Sequence, residues 1–139
     1  MSIVLGYDES PGSARALDLA IELARRFAEP LVIVYGVTPP GGRGEEFGEH
    51  QRALAEIGQH AVTQAATRAI EAGVAASGEL VHAKPARALV EVADQHDARM
   101  IIVGSYGEGP VRGALLGSTP YRLLGLSDRP VLVVPRPEE

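Results

Sequence analysis

Residues 100–119 read Met-Ile-Ile-Val-Gly-Ser-Tyr-Gly-Glu-Gly-Pro-Val-Arg-Gly-Ala-Leu-Leu-Gly-Ser-Thr. The first five form a continuous apolar run that ends in glycine, which predicts a buried strand. The last residues, followed by Pro120, have the composition of a helix start. Glycine dominates the segment between, so the stretch predicts a strand, a loop and a helix in succession.

The same alternation extends over the rest of the chain. Apolar runs predict strands at 2–8, 31–37, 75–82, 100–104 and 131–134. Helical spacing predicts helices at about 11–29, 46–72, 85–97 and 120–126, the first capped by Ser10 and stopped by Pro30. On the long second helix, we expect one apolar face, made by Leu54, Ile57, Ala61, Ala65, Ala69 and Ala72.

Strands that alternate with helices predict an α/β fold. We expect one doubly wound domain over residues 1–139, with a five-stranded, mostly parallel sheet and helices on both faces. A chain of this length suits a single core.

Composition excludes several classes of protein. The net charge of −5 and the 4% of aromatic residues speak against a nucleic-acid binder. Without cysteine, the chain has neither disulfides nor thiolate chemistry. No run is long and apolar enough for a membrane helix, and the first residues lack the features of a signal peptide, so we expect a cytoplasmic protein.

The glycine run from Gly104 to Ser118 is the segment that points to chemistry. Glycine lets the backbone approach a phosphate, and a helix start offers free N–H groups, so together they form an anion site. Ser118 and Thr119 add hydroxyl groups, although Ser118 is equally suited to cap the helix. A tight connection without a ligand remains the alternative.

Two other phosphate-binding motifs do not match. The run has no Gly-Lys-Ser or Gly-Lys-Thr, which excludes a P-loop. The first strand is followed by Asp8, Glu9 and Ser10 rather than by a Gly-x-Gly-x-x-Gly turn, which excludes the usual dinucleotide fold.

The spacing Gly-x2-Gly-x9-Gly-Ser, formed by Gly104, Gly107, Gly117 and Ser118, resembles the nucleotide motif of the universal stress protein family. Residues 3–10, 85–89, 101–105 and 129–135 resemble that family too, so the likeness covers essentially the whole chain. The resemblance implies the sheet order 3-2-1-4-5, which places the ends of the first and fourth strands together.

The resemblance also implies a binding site for ATP, or for AMP or cyclic AMP, with Mg²⁺. Asp8 matches a position that contacts adenine, flanked by Tyr7 and Glu9, and Gly36 with Val37 forms another part of that wall. The ribose and phosphate side is expected at Val103, Gly104, Gly107, Gly117, Ser118 and Thr119. A homodimer through the last strand, 130–135, is implied as well, with an unknown protein partner.

Three functions compete at this point. The favoured one is a stress-response regulator that changes conformation with its nucleotide. A slow ATP hydrolase or phosphotransferase is less favoured because no catalytic base is obvious beyond Glu108 or Asp8. The third is a nucleotide-free dimeric interaction protein, in which Asp8 only caps the turn that follows it. Arg112 and Lys84 are further candidates for a phosphate countercharge.

Overall fold

The computed structural model describes residues 1–37, 45–105 and 118–135. Within these residues, five strands and four helices alternate. They are β1 (Ser2–Gly6), α1 (Pro11–Phe27), β2 (Leu31–Gly36), α2 (Glu45–Glu71), β3 (Ala76–Val81), α3 (Pro85–Gln95), β4 (Ala98–Gly104), α4 (Ser118–Leu126) and β5 (Val131–Val134). Gly107 and Gly117, with Glu108 and Arg112, lie outside the described residues.

The strands form one sheet in the order β3-β2-β1-β4-β5, and all four pairings are parallel. The order implied by the family resemblance is thereby confirmed. In the central strand, Leu5 lies beside Ile33 of β2 and Ile102 of β4. The chain therefore reverses its direction of travel across the sheet between β1 and β4.

Helices cover both faces of the sheet, and each face has its own core. Ile3, Leu5 and Ile33 pack with Leu17 of α1 and Val62 of α2 on one face. The opposite core contains Val4, Val34, Leu89, Ile101 and Leu123, which joins α3 and α4 to the sheet. Because the three inner strands, β1, β2 and β4, are largely buried on both sides, their apolar runs in the sequence were continuous rather than alternating.

The first helix begins as predicted and ends earlier. Ser10 is the N-cap, and its hydroxyl accepts a hydrogen bond from the Ser13 N–H. The helix ends at Phe27 rather than Glu29, because Ala28 adopts a left-handed conformation with φ of 54° and its N–H bonds back to Ala24 and Arg25. Pro30 therefore follows the end of the helix and does not cause it.

The predicted apolar face of α2 is wrong at two positions. Ile57 is 53% exposed and Ala72 is exposed, whereas Ala61, Ala65 and Ala69 are buried as expected. The neighbouring Gly58 faces the sheet instead. A Cβ atom at Gly58 would lie 2.6 Å from Leu80 Cδ1 and 2.7 Å from Tyr35 Cδ1, so this close packing turns Ile57 outward.

The third strand contains a similar close approach. A Cβ atom at Gly78 would lie 2.7 Å from Val62 Cβ on α2. The lack of a side chain at Gly78 is therefore what lets α2 pack against the edge strand of the sheet. None of the described helices combines the length and apolar character that a membrane-spanning helix needs.

Candidate functional site

Three strands end in glycine at the same edge of the sheet: β1 at Gly6, β2 at Gly36 and β4 at Gly104. This is the carboxyl edge, and β1 and β4 are the neighbours between which the chain reverses direction. Doubly wound α/β proteins bind ligands at this position. The fold alone thus places a candidate site here.

A cavity of about 140 Å³ opens at this edge. A cavity of roughly 150 Å³ takes up a benzene molecule, so the space suits a flat ring system. Its lining combines the ends of β1, β2 and β4 and the turn after β1 with residues near the starts of α1, α3 and α4. The lining residues are Gly6, Tyr7, Asp8, Ser13, Val34, Tyr35, Gly36, Pro85, Leu89, Val103, Gly104, Thr119 and Pro120.

The floor of the cavity is apolar, and Gly6 keeps it open. A Cβ atom at Gly6 would lie 2.9 Å from Leu89 Cδ1 and 3.1 Å from Val103 Cγ1. Both neighbours are buried side chains of the α3-facing core. A side chain at position 6 would therefore enter the space between these two walls.

The other two glycines are required by backbone contacts. A Cβ atom at Gly36 would lie 3.0 Å from Pro85 Cα and 3.1 Å from the Ala83 carbonyl oxygen. At Gly104, a Cβ atom would lie 2.9 Å from the Gly12 carbonyl carbon and 3.1 Å from the Ser13 nitrogen. These glycines let the turn before α3 and the first turn of α1 close around the cavity.

Asp8 is held by the turn between β1 and α1. Its Oδ1 accepts a hydrogen bond from the Ser10 N–H at 3.0 Å, and its own N–H donates to Ser13 Oγ at 3.0 Å. Between them, Glu9 has a φ of 65°, the left-handed region that side chains seldom adopt. Asp8 therefore caps the turn, as the structural interpretation predicts, and it also lines the cavity.

Tyr7 lies between the cavity and the α1-facing core. Its N–H donates to the Val34 carbonyl oxygen at 3.0 Å, which ties the end of β1 to β2. Burial, and next the negative charge of Glu9, raise the pKa of the phenol. The hydroxyl group thus stays protonated near neutral pH.

The first turn of α4 forms the far wall. Thr119 is half-buried and lines the cavity, Pro120 is buried beside it, and Ser118 is exposed at the first helical position. The helix has nine residues. As in any α-helix, the N–H groups of its first turn have no hydrogen-bond acceptor within the helix. Among the described lining residues there is neither lysine nor arginine.

The predicted site residues divide into three groups. Tyr7, Asp8, Gly36, Val103, Gly104 and Thr119 come together around the cavity. Glu9, Val37 and Ser118 lie next to lining residues but do not line the cavity, since Glu9 and Ser118 are exposed and Val37 is buried. Gly107 and Gly117 fall outside the described ranges.

Several lining residues were missed by the sequence analysis, chiefly Gly6, Ser13, Pro85 and Leu89. Gly6 carried a usable signal, because glycine inside an apolar strand often marks a close approach of a ligand or backbone. Ser13 and Leu89 carried none, since a serine in a first helical turn and a leucine on an apolar face are ordinary. Lys84 is exposed at the N-cap of α3 and does not line the cavity.

The fold and the cavity define a doubly wound α/β protein with a candidate ligand site at the switch point of its sheet. Residues 1–135 match the sequence profile of the Universal stress protein family, and the chain belongs to that family. The sequence resemblance is thereby confirmed.

Known relatives agree with this assignment. The chain is 32% identical to universal stress protein MJ0531 of Methanocaldococcus jannaschii over 144 residues, which cover 99% of the chain and 83% of that protein. It spans about half the length of several mycobacterial relatives, covering 48% of each at 34% identity.

Solved structures show the same fold. A universal stress protein from Burkholderia pseudomallei superposes with a TM-score of 0.80 at 31% identity, covering 96% of each chain. A universal stress protein in complex with cAMP superposes with a TM-score of 0.75 at 29% identity, also over 96% of each chain.

Proposed function

We propose that this chain, acting as one unit over residues 1–139, binds an adenosine nucleotide in the cavity at the carboxyl edge of its sheet. The observation that carries the proposal is the convergence of Asp8 and the first turn of α4 on one apolar cavity. An apolar slot with a few convergent polar groups is the usual form of a small-molecule site. ATP is the favoured ligand, with AMP and cyclic AMP as alternatives.

The base occupies the apolar end in this proposal. Val103 and Leu89 provide flat contact across the floor that Gly6 leaves open. One carboxylate oxygen of Asp8 is engaged by the Ser10 N–H, and the other is left to accept a hydrogen bond from the exocyclic amine of adenine. Tyr7 and Gly36 complete this wall, and Glu9 and Val37 lie next to it.

The phosphates lie toward α4. Without a cation among the described lining residues, the free N–H groups and the hydroxyls of Ser118 and Thr119 would hold them, together with the backbone at Gly104, Gly107 and Gly117. No group of three or more potential metal ligands occurs among the described side chains. Mg²⁺ would therefore be held mainly by the phosphates and water, as is usual for this ion.

The biological role that fits this site is a cytoplasmic stress-response regulator whose surface changes when the nucleotide binds. β5 is an edge strand and its first three residues are only half-buried. Natural proteins seldom leave such edges bare. We expect two copies of the chain to pair through β5.

Isothermal titration calorimetry with ATP, AMP and cyclic AMP, with GTP for comparison, tests the proposal. We expect sub-millimolar binding of at least one adenosine nucleotide, and weaker binding by the Asp8→Asn variant, because an amide can turn its NH₂ group toward the adenine amine. Asp18→Asn is the matched control, since Asp18 lies on α1 and pairs with Arg68. Absence of binding at millimolar concentrations would overturn the proposal.

A slow ATP hydrolase is the second candidate. Of its two candidate catalytic bases, Asp8 is the one that lies among the described residues. Its carboxylate already accepts the Ser10 N–H, which leaves one oxygen to activate water. Turnover that survives in Asp8→Asn would exclude this role for Asp8. Mass spectrometry of the purified protein after gentle denaturation tests the nucleotide-free alternative, which predicts no co-purified nucleotide.

A further inference from the structure

The first turn of α1 contacts both the end of β4 and the turn after β1, which line the cavity. The peptide between Gly12 and Ser13, in the first turn of α1, lies against Gly104. A Cβ atom on Gly104 would be 2.9 Å from the Gly12 carbonyl carbon. On its other side, Ser13 is bonded to the turn that carries Asp8. The end of β1 and the end of β4 are thus both positioned by this turn.

Ser13 is the centre of that arrangement. Its hydroxyl oxygen accepts the Asp8 N–H at 3.0 Å and donates to the Gly6 carbonyl oxygen at 3.4 Å. Its N–H donates to Ser10 Oγ at 3.2 Å. The side chain is almost completely buried, so the Asp8 N–H has no ready replacement by solvent when the hydroxyl is removed.

These bonds fix the direction of the Asp8 carboxylate. The Asp8 backbone is held by Ser13 and its Oδ1 by the Ser10 N–H, and the residue lines the cavity. In the proposed complex, Oδ2 is therefore the oxygen that accepts a hydrogen bond from the base. A carboxylate acceptor favours a base edge that donates, such as the exocyclic amine of adenine. It disfavours a base that presents a carbonyl oxygen at the same position.

We propose that Ser13 is a positioning residue for base selection: by fixing Asp8, it sets the preference of the site for a purine that carries an exocyclic amine. This inference rests on the proposed nucleotide-binding function. Ser13 acts through Asp8, and its loss therefore changes the discrimination between bases more than it changes binding of the shared ribose and phosphates.

The test compares the dissociation constants of ATP and inosine triphosphate, which has a carbonyl oxygen in place of the amine. We expect wild-type protein to prefer ATP. In Ser13→Ala, the ratio of the two constants should fall by about threefold to tenfold, the range of one hydrogen bond. Adding Ser13→Ala to Asp8→Asn should cause little loss of discrimination beyond that of Asp8→Asn alone, because both changes act on one contact.

Ser2→Ala provides the matched control. Ser2 is as buried as Ser13, and its hydroxyl also donates one hydrogen bond, to the His96 carbonyl oxygen, at the opposite end of β1. We expect this variant to lower the melting temperature and to leave the ATP preference unchanged. If Ser13→Ala does not fold, Ser13→Cys retains a weak acceptor and should show an intermediate preference.

The outcomes separate the inference from the function on which it rests. If wild-type protein binds none of ATP, AMP, cyclic AMP and inosine triphosphate, the proposed function fails and the inference fails with it. If wild-type protein binds both equally, or if the Ser13 variants keep the full ATP preference while losing stability, the inference alone is overturned.

Discussion

Gly104 at the end of β4 and Gly12 in the first turn of α1 are in backbone contact, and a Cβ atom on Gly104 would lie 2.9 Å from the Gly12 carbonyl carbon. The contact joins the strand that leads into the glycine run to the helix that supports Asp8. It gives Gly104 a structural requirement that is independent of any phosphate.

We therefore expect Gly104→Ala to destabilise the protein by about 1–3 kcal/mol, since overpacking against backbone forces main-chain shifts. Urea denaturation measures this directly. Gly125→Ala is the control, because a Cβ atom there meets nothing within 4 Å and position 125 lies inside α4. It should be neutral or slightly stabilising, and equal stability of the two variants would contradict the close contact.

Gly6→Ala tests the cavity floor. The added methyl group would point between Leu89 and Val103, and the nearest atom, Leu89 Cδ1, belongs to a side chain that can shift. We expect a small change in stability and about tenfold weaker binding of the adenosine nucleotide, equivalent to ~1.4 kcal/mol. Calorimetry measures the affinity, and an unchanged value would mean that the ligand binds elsewhere.

Ala28→Gly should stabilise the protein. Ala28 adopts a φ of 54° at the end of α1, a conformation that costs a side-chain-bearing residue about 1–2 kcal/mol. Glycine removes that cost but adds about 0.4–1 kcal/mol of entropy to the unfolded chain. The expected net gain is about 0.5–1 kcal/mol, seen as a higher urea midpoint, and a lower midpoint would contradict it.

The ion pair between Arg99 and Glu29 predicts a pH dependence. Arg99 donates two hydrogen bonds of 2.9 and 2.6 Å to Glu29 Oε1, and these bonds lower the pKa of the Glu29 carboxyl. Because the pKa of Glu29 is lower in the folded protein than in the unfolded chain, the ion pair stabilises the fold at pH values above the unfolded-state pKa. This stabilisation is lost as the pH falls through the lower, folded-state pKa.

We expect Arg99→Met to be less stable than wild-type protein at pH 7, with the difference shrinking between about pH 5 and pH 3. Methionine retains part of the packing that Arg99 makes over the ring of Phe27, 4.4 Å from its centroid. Urea midpoints across this range check the expectation. Arg26→Met, which breaks an exposed pair with Glu22, should matter little because exposed pairs contribute ~0–1 kcal/mol.

Sequence patterns predicted the strands well because parallel strands are buried on both faces, as the apolar stretch around Ile102 shows. Helix faces were less certain where glycine decides the packing. Gly58, not Ile57, turns toward Tyr35, and no residue-level scale of hydrophobicity places a glycine at an interface. The order of the strands came from the family resemblance, not from the residues themselves.

The candidate site was predictable from residue chemistry at Gly104, which ends a strand and begins the glycine run, whereas the adenine role of Asp8 came from the family resemblance. Pro85 was not predictable, because its contribution comes from a contact with Gly36, which is distant in sequence. Ser13 was not either, because a serine in a first helical turn is ordinary and gives no sign that its hydroxyl bonds to Asp8 and Gly6. Gly36 was predicted as part of the adenine wall. The structure adds a separate reason for glycine at this position, because a side chain would press against the backbone of Ala83 and Pro85.

The pairing of β1 has a consequence for folding. Ile3 lies beside Leu31 on one side and Met100 on the other, so the central strand completes its hydrogen bonding only when segments almost a hundred residues apart have met. Until then one edge of this central, buried strand is open to other chains. During synthesis on the ribosome, the nascent chain is thus most prone to aggregate before β4 emerges.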